Sequence, residues 1–234
     1  MTEGPAFYAR TGSPGSDLVA ILHPPYTVWH LSYVVIGASL ARAVSLSLLA
    51  WTVLVFFLAV GIAAHSLDEI NGRPLGTSLS DTALWGIAIA ALGTAAVIVA
   101  LGSLSLSPWI WACALVGLFF AVGYPLEWPS RLHTDVGFAI AWGSYPVLVG
   151  YWVQTESLSL AAVIAAVFAA LLSLAQRSLS TPARYVRRET TTASAQFDAV
   201  GWDRTELLAT WERPLRWLGW AVVALATGLL VARL

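Results

Sequence analysis

The stretch Val44-Ser-Leu-Ser-Leu-Leu-Ala-Trp-Thr-Val-Leu-Val-Phe-Phe-Leu-Ala-Val-Gly-Ile-Ala-Ala64 runs without an ionisable group into His65-Ser-Leu-Asp68-Glu69-Ile-Asn71-Gly-Arg73-Pro-Leu75. At about 1.5 Å rise per residue the apolar part is long enough to cross a bilayer as a helix. The strip behind it carries the densest polar chemistry of the chain. Ionisable groups at the edge of a span face a bundle interior or a water-filled cavity, so this strip is the first candidate site.

Composition agrees with the opening. Hydrophobic residues make up 58% of the chain and charged residues 11%, with mean hydropathy +0.75, which marks an integral membrane protein. Twelve Trp fit aromatic belts at the interfaces, and 12 basic against 13 acidic residues offer no basic surface for nucleic acid. All the basic residues are Arg, which excludes lysine chemistry such as a retinal Schiff base, pyridoxal phosphate attachment or a P-loop. The single Cys113 sits in an apolar run, so there is no disulfide framework. Met1 to Leu22 has neither a basic start nor an apolar core, so the first span is expected to direct insertion.

Apolar windows predict an all-α, polytopic bundle of about seven spans, near 25–41, 44–65, 82–103, 108–125, 136–153, 158–175 and 215–232. Pro214 fits the first turn of the last helix, and Pro146 a kink within the fifth span. With seven spans, Arg10, Arg73, Arg131 and the arginines from Arg177 to Arg216 fall on one side, and Arg42 and Arg233 on the other. The positive-inside rule then puts the N-terminus and the polar loops in the cytoplasm, and the expected location is the plasma membrane of a prokaryote. The chain divides into an N-terminal tail (1–22), a bundle of about six spans (23–175), an Arg-rich loop (176–213) and a last helix (214–234).

That loop reads as a linker plus an interfacial helix on which Trp202, Leu207, Leu208 and Trp211 meet the headgroup boundary; a solvated cytoplasmic loop is the alternative. On a helix, His65, Asp68 and Glu69 share a face through i, i+3 and i+4 spacing, suited to a divalent cation or to a cation carried with a diphosphate. A second strip, Glu127-Trp-Pro-Ser-Arg131-Leu-His133-Thr-Asp135, adds a carboxylate pair, a titratable His and an Arg suited to phosphate. Two such strips at the mouths of neighbouring spans can line one cavity. Taken singly, Asp68, Asn71 and Asp135 also read as helix caps, Arg73 and Arg131 as topology signals, and His23 and His30 as interfacial histidines.

His23-Pro-Pro-Tyr-Thr-Val-Trp-His-Leu-Ser-Tyr-Val-Val-Ile-Gly37 resembles the opening span of the UbiA-type intramembrane prenyltransferase superfamily. Asp68-Glu-Ile-Asn71-Gly-Arg73-Pro-Leu75 resembles the end of that family's first aspartate motif. Tyr124, the polar turn after it, and Gly137 to Gly150 with Trp142-Gly-Ser-Tyr-Pro146 resemble its tyrosine-bearing loop and following span. The resemblance covers about residues 23–175. It implies a helical bundle around a lipid-filled cavity, in which Mg²⁺ and aspartates hold the diphosphate of a polyprenyl donor and the prenyl cation passes to an acceptor. It implies Asp68 and Asn71 in the first motif, Arg73 on phosphate, and Tyr124 beside the leaving group.

The chain departs from that pattern where the second aspartate motif belongs, reading Ser173-Leu-Ala-Gln-Arg177-Ser-Leu-Ser-Thr-Pro-Ala-Arg184 without an acid. Three readings follow. In the first, a divergent prenyltransferase uses Asp68, Glu69 and Asp135 for one Mg²⁺, Asn71, Arg73, Arg131 and His133 for substrate, and Asp68, Tyr124 and His65 at the reacting carbon. In the second, a non-catalytic lipid-binding or accessory protein keeps the cavity. In the third, a small transporter or proton relay is built on His65 and His133.

Overall fold

The computed structural model describes residues 4–9, 12–190, 192–197 and 200–234; Arg10, counted above among the cytoplasmic arginines, lies outside them. The described chain is all-α apart from one short hairpin. Eight helices follow in order: α1 (Pro14–Ile21), α2 (Pro24–Ser39), α3 (Leu46–Ile70), α4 (Asp81–Gly102), α5 (Ile110–Gly123), α6 (Asp135–Thr155), α7 (Leu160–Glu189) and α8 (Arg204–Val231). Five of them, α3, α4, α6, α7 and α8, are long and apolar enough to cross a membrane, and α5 is a shorter apolar helix. The starts of α3, α4, α7 and α8 are fixed by side chains of Ser45, Ser80, Ser159 and Asp203, each accepting from a first-turn amide.

The bundle is built inside out relative to a water-soluble one. The short α2 is its axis, packed between α6 and α8, and it buries Thr27, Trp29, His30, Ser32 and Tyr33. The outer helices turn Ile89, Leu115, Ile164 and Trp220 to the surroundings. In hydrocarbon apolar burial drives little association, so close packing through small residues and internal hydrogen bonds must hold the helices. Gly37 of α2 and Gly150 of α6 lie against the other helix's backbone: a Cβ on Gly37 would stand 2.0 Å from the Val147 carbonyl oxygen, and one on Gly150 2.3 Å from that of Val34. Trp29 Nε1 donates to Tyr33 Oη at 2.7 Å within the axis.

Short links gather at one end of the bundle, where the Ser45 amide donates to Gln154 Oε1 at 2.8 Å, Ser107 to Glu156 Oε2 at 2.9 Å, and Arg233 Nε to the Ser39 carbonyl at 2.9 Å. Longer polar links gather at the other, which holds both polar strips.

Two departures from the sequence reading shape that polar end. The helix of the sixth span does not stop near 175; α7 continues through Pro182 to Glu189, and α8 begins at Arg204 with Pro214 inside it. The expected linker and interfacial helix are instead the ends of two long helices, joined by a hairpin that pairs Ala195–Phe197 with Val200–Trp202. The cause is amphipathic packing. Ala183 and Val186 of α7 meet Leu208 of α8, so Leu208 is buried rather than laid on a headgroup boundary, and Arg187 forms a bidentate pair with the buried Glu212.

The N-terminal tail also holds a helix. Asp17 of α1 is fully buried, and its carboxylate accepts from the Ser78 amide (2.8 Å), the Ser78 hydroxyl (2.5 Å) and the Gly12 amide (3.0 Å), latching α1 to the α3–α4 loop. The Ser78 hydroxyl first, then the amides, hold its pKa below the ordinary carboxylate range against the opposing effect of burial. A group whose folded-state pKa is depressed contributes stability that is present above its unfolded pKa of about 3.9 and is lost as pH falls through the folded value. Wild-type protein is therefore expected to lose thermal stability between about pH 5 and pH 3 more steeply than Asp17→Asn does. Unfolding curves of the two that run parallel across this window would remove the latch from the account.

Two helices contain π-helical turns, α3 at Phe57–Ala64 and α6 at Ala139–Ser144. The second ends beside Pro146, whose missing N–H and ring are incompatible with an ordinary helix interior. The carbonyl of Trp142, four residues before that proline, is met by His30 Nδ1 at 2.9 Å.

Candidate functional site

At the polar end the helices enclose a cavity of about 750 Å³. From the sites read in the sequence, its lining gathers His65 and Asp68 at the end of α3, Asn71 and Arg73 just beyond, Tyr124 after α5, and His133 before α6. Asn71 Nδ2 donates to the Pro125 carbonyl at 3.0 Å, tying the first strip to the second. His133 stacks on Tyr124 with ring centroids 4.6 Å apart, and its Nδ1 lies 3.0 Å from the Tyr124 carbonyl oxygen.

Other proposed site residues stand elsewhere. Glu69 is fully buried and its carboxylate is saturated: Oε2 accepts from the Leu75 amide at 2.9 Å, and Oε1 from the Thr77 amide at 2.7 Å and hydroxyl at 2.9 Å. It folds the loop back under α3, and with its oxygens turned to that loop it does not line the cavity. Asp135 is 67% exposed and accepts from Arg177 Nε at 2.9 Å. Arg131 is exposed on the single 3₁₀ turn Ser130–Leu132 and does not line the cavity. Arg73 lines it, but its guanidinium is engaged by the Leu79 carbonyl and by Asp81.

The Mg²⁺ set expected from Asp68, Glu69 and Asp135 is therefore not assembled. Mg²⁺ requires near-octahedral oxygen ligation, and of these three carboxylates only Asp68 faces the cavity. Among the described residues no three of His, Cys, Asp and Glu come together as a metal-holding group. The residues do not fit the ion as a protein-held cofactor.

The cavity also holds residues to which the sequence reading assigned no site. Gln176, Arg177, Ser180, Arg184, Arg187 and Arg188 line it from one face of α7. Their spacing of three and four residues is that of a helix face, a signal hidden by treating the segment as a loop. Arg177 Nη1 donates to Tyr124 Oη at 3.0 Å, and its guanidinium lies 5.3 Å from the Phe138 ring centroid. His23 and His30 are buried cavity residues rather than interfacial ones. The His23 and His65 rings lie 4.3 Å apart, and Tyr8 Oη is 2.5 Å from His23 Nδ1. Burial, followed by the charges of His65, Arg188 and Arg184, holds the His23 pKa well below its ordinary value, so this ring is neutral at pH 7.

Backbone strain concentrates here. Four described non-glycine residues have positive φ, and three of them, His23 (44°), Arg73 (52°) and Glu127 (55°), line the cavity. Such conformations cost of order 1–3 kcal/mol each and persist where the surroundings over-determine them, commonly at functional sites.

A second, apolar recess of about 430 Å³ lies between α3, α4 and α5, lined by Phe56, Ile89, Leu92, Val99, Trp111 and Leu115 among others. Val60 borders both spaces. No family model, curated protein or solved structure matches the chain.

Proposed function

We propose that this chain is a UbiA-like integral membrane protein that binds a phosphate-bearing isoprenoid lipid, a polyprenyl diphosphate being the ligand that the family resemblance implies. One observation carries the reading: an arginine-faced polar cavity adjoins an apolar recess, with Val60 on the border of both. An amphiphile with an anionic head and a long hydrocarbon chain meets both environments. The guanidinium groups supply donors for phosphate oxygens, and the recess supplies dispersion contacts for the chain. The non-catalytic, lipid-binding form of this reading needs nothing further from the cavity.

A second reading, prenyl transfer, is favoured by the aromatic wall of Tyr124, Phe138 and Trp142 beside Arg177. In that reaction the C1–O bond of the donor breaks with its electron pair leaving on the diphosphate. The aromatic faces stabilise the allylic cation, and the acceptor's electron pair forms the new bond while Asp68 or His65 takes its proton.

The test is thermal unfolding of detergent-purified protein with a polyprenyl diphosphate and with the prenyl alcohol of equal length. A ligand at about 100 times its Kd adds about 2.7 kcal/mol, so the diphosphate is expected to raise the unfolding temperature and the alcohol to leave it nearly unchanged. Equal effects, or none, would overturn the reading. Release of inorganic diphosphate from the donor in native membranes separates transfer from binding.

A further inference from the structure

We infer that the cavity holds phosphate oxygens directly on the guanidinium groups of Arg184 and Arg188, with no divalent cation between protein and ligand. The inference rests on the proposed function and deepens it by fixing the chemistry of the head site.

The argument begins with the pairing of the cavity's cations. Arg73 is neutralised by Asp81, Arg177 by Asp135 and Arg187 by Glu212. Arg184 donates only to hydroxyls, Nη1 to Ser180 at 3.1 Å and Nη2 to Thr181 at 3.3 Å, and Arg188 makes one long bond from Nε to the Pro5 carbonyl at 3.4 Å. Neither forms an ion pair with a described carboxylate. They are i, i+4 neighbours on α7, a spacing at which like charges repel, and both face the same cavity.

One cavity carboxylate, Asp68, acts electrostatically on both arginines without forming an ion pair with either, so one negative charge stands against two positive ones. Glu127 and Glu189 are exposed, and Asp68 is the one aspartate in the lining. Two guanidiniums near one another with no carboxylate paired to either repel unless an anion joins them, and guanidinium groups match phosphate oxygens bidentately. In the UbiA-type arrangement acids with bound metal would stand at this end of the sixth span. Here the positive charge is covalent, carried by arginine on the helix. Asp68 then acts against the ligand: facing a phosphate without a metal, its carboxylate repels it.

The test is calorimetric titration of the detergent-purified full chain with inorganic pyrophosphate and with a polyprenyl diphosphate, each in chelator and in Mg²⁺. Pyrophosphate is expected to bind in chelator, within about twofold of its affinity in Mg²⁺. Arg184→Gln with Arg188→Gln should weaken it at least about tenfold, and Arg184→Lys with Arg188→Lys, which keeps the charge and guards against misfolding, by less. Asp68→Asn should bind equally or more tightly. If both ligands bind only with Mg²⁺ and Asp68→Asn abolishes binding, a metal-bridged site replaces the arginine one while the lipid-phosphate reading stands. If neither binds in either medium, both readings fall. If pyrophosphate binds in chelator and the prenyl chain adds no affinity, the direct arginine site holds and the ligand is a soluble phosphate compound rather than a lipid.

Discussion

Gly37→Ala is expected to destabilise the bundle by about 3 kcal/mol or more, although the change adds a single methyl group to a helix. In an exposed helix the same exchange is favourable by up to about 1 kcal/mol, because alanine loses less backbone entropy than glycine. At Gly37 the new carbon would stand 2.0 Å from the Val147 carbonyl oxygen and 2.8 Å from its carbonyl carbon. That obstacle is backbone, so no rotamer change relieves it, and α2 and α6 must part along their contact. Overpacking commonly costs about 1–3 kcal/mol even where side chains can give way. Gly86→Ala on α4 is the control, since a Cβ there meets nothing within 4 Å. Unfolding of the three proteins in detergent, by heat or by added dodecyl sulfate, gives the comparison. A loss at Gly37 no larger than at Gly86 would mean that the two backbones do not touch.

Glu69→Ala should cost a similar amount for a different reason. Its carboxylate is the shared acceptor for the amides of Leu75 and Thr77 and for the Thr77 hydroxyl, all in a buried turn. Removing it strands two buried amides, each worth about 1–3 kcal/mol when unsatisfied. Glu69→Gln keeps the length but puts an NH₂ where one donor already points, so an intermediate loss is expected. The measurement also separates structure from chemistry. A metal-ligating Glu69 would leave stability nearly unchanged on substitution and alter ligand binding alone; the hydrogen bonds predict the reverse order.

Glu69 marks the limit of what hydropathy and spacing carry. Apolar length is enough to find α4, α5 and α6 to within two residues at each end, because a span depends on hydropathy summed over many residues. It failed at α7 and α8, whose continuations past the apolar run are amphipathic and contain Pro182 and Pro214, so each mimicked a loop. Local spacing brought His65 and Asp68 correctly to one side of a helix. The same spacing sets Glu69 one turn from His65, but it does not reveal that the donors of the following loop, Leu75 and Thr77, take up the Glu69 carboxylate. The partner of Asp135, Arg177, lies 42 residues away on α7, a distance across which local spacing carries no signal. The arginine stripe of α7 was visible as spacing, but not until the segment was known to be helical.

The π-helical turns of α3 bear on the site in another way. A π turn accommodates an additional residue within an otherwise α-helical ladder, and each residue of helix is worth about 100° of rotation. The part of α3 that follows Ala64 is thus turned relative to the phase set at Leu46, and it is this part that carries His65, Asp68 and Asn71 toward the cavity. Which way the polar groups point is decided by a change of winding in the apolar run before them. The apolar half of the helix, without one charged side chain of its own, acts as the timing element for the chemistry at its end.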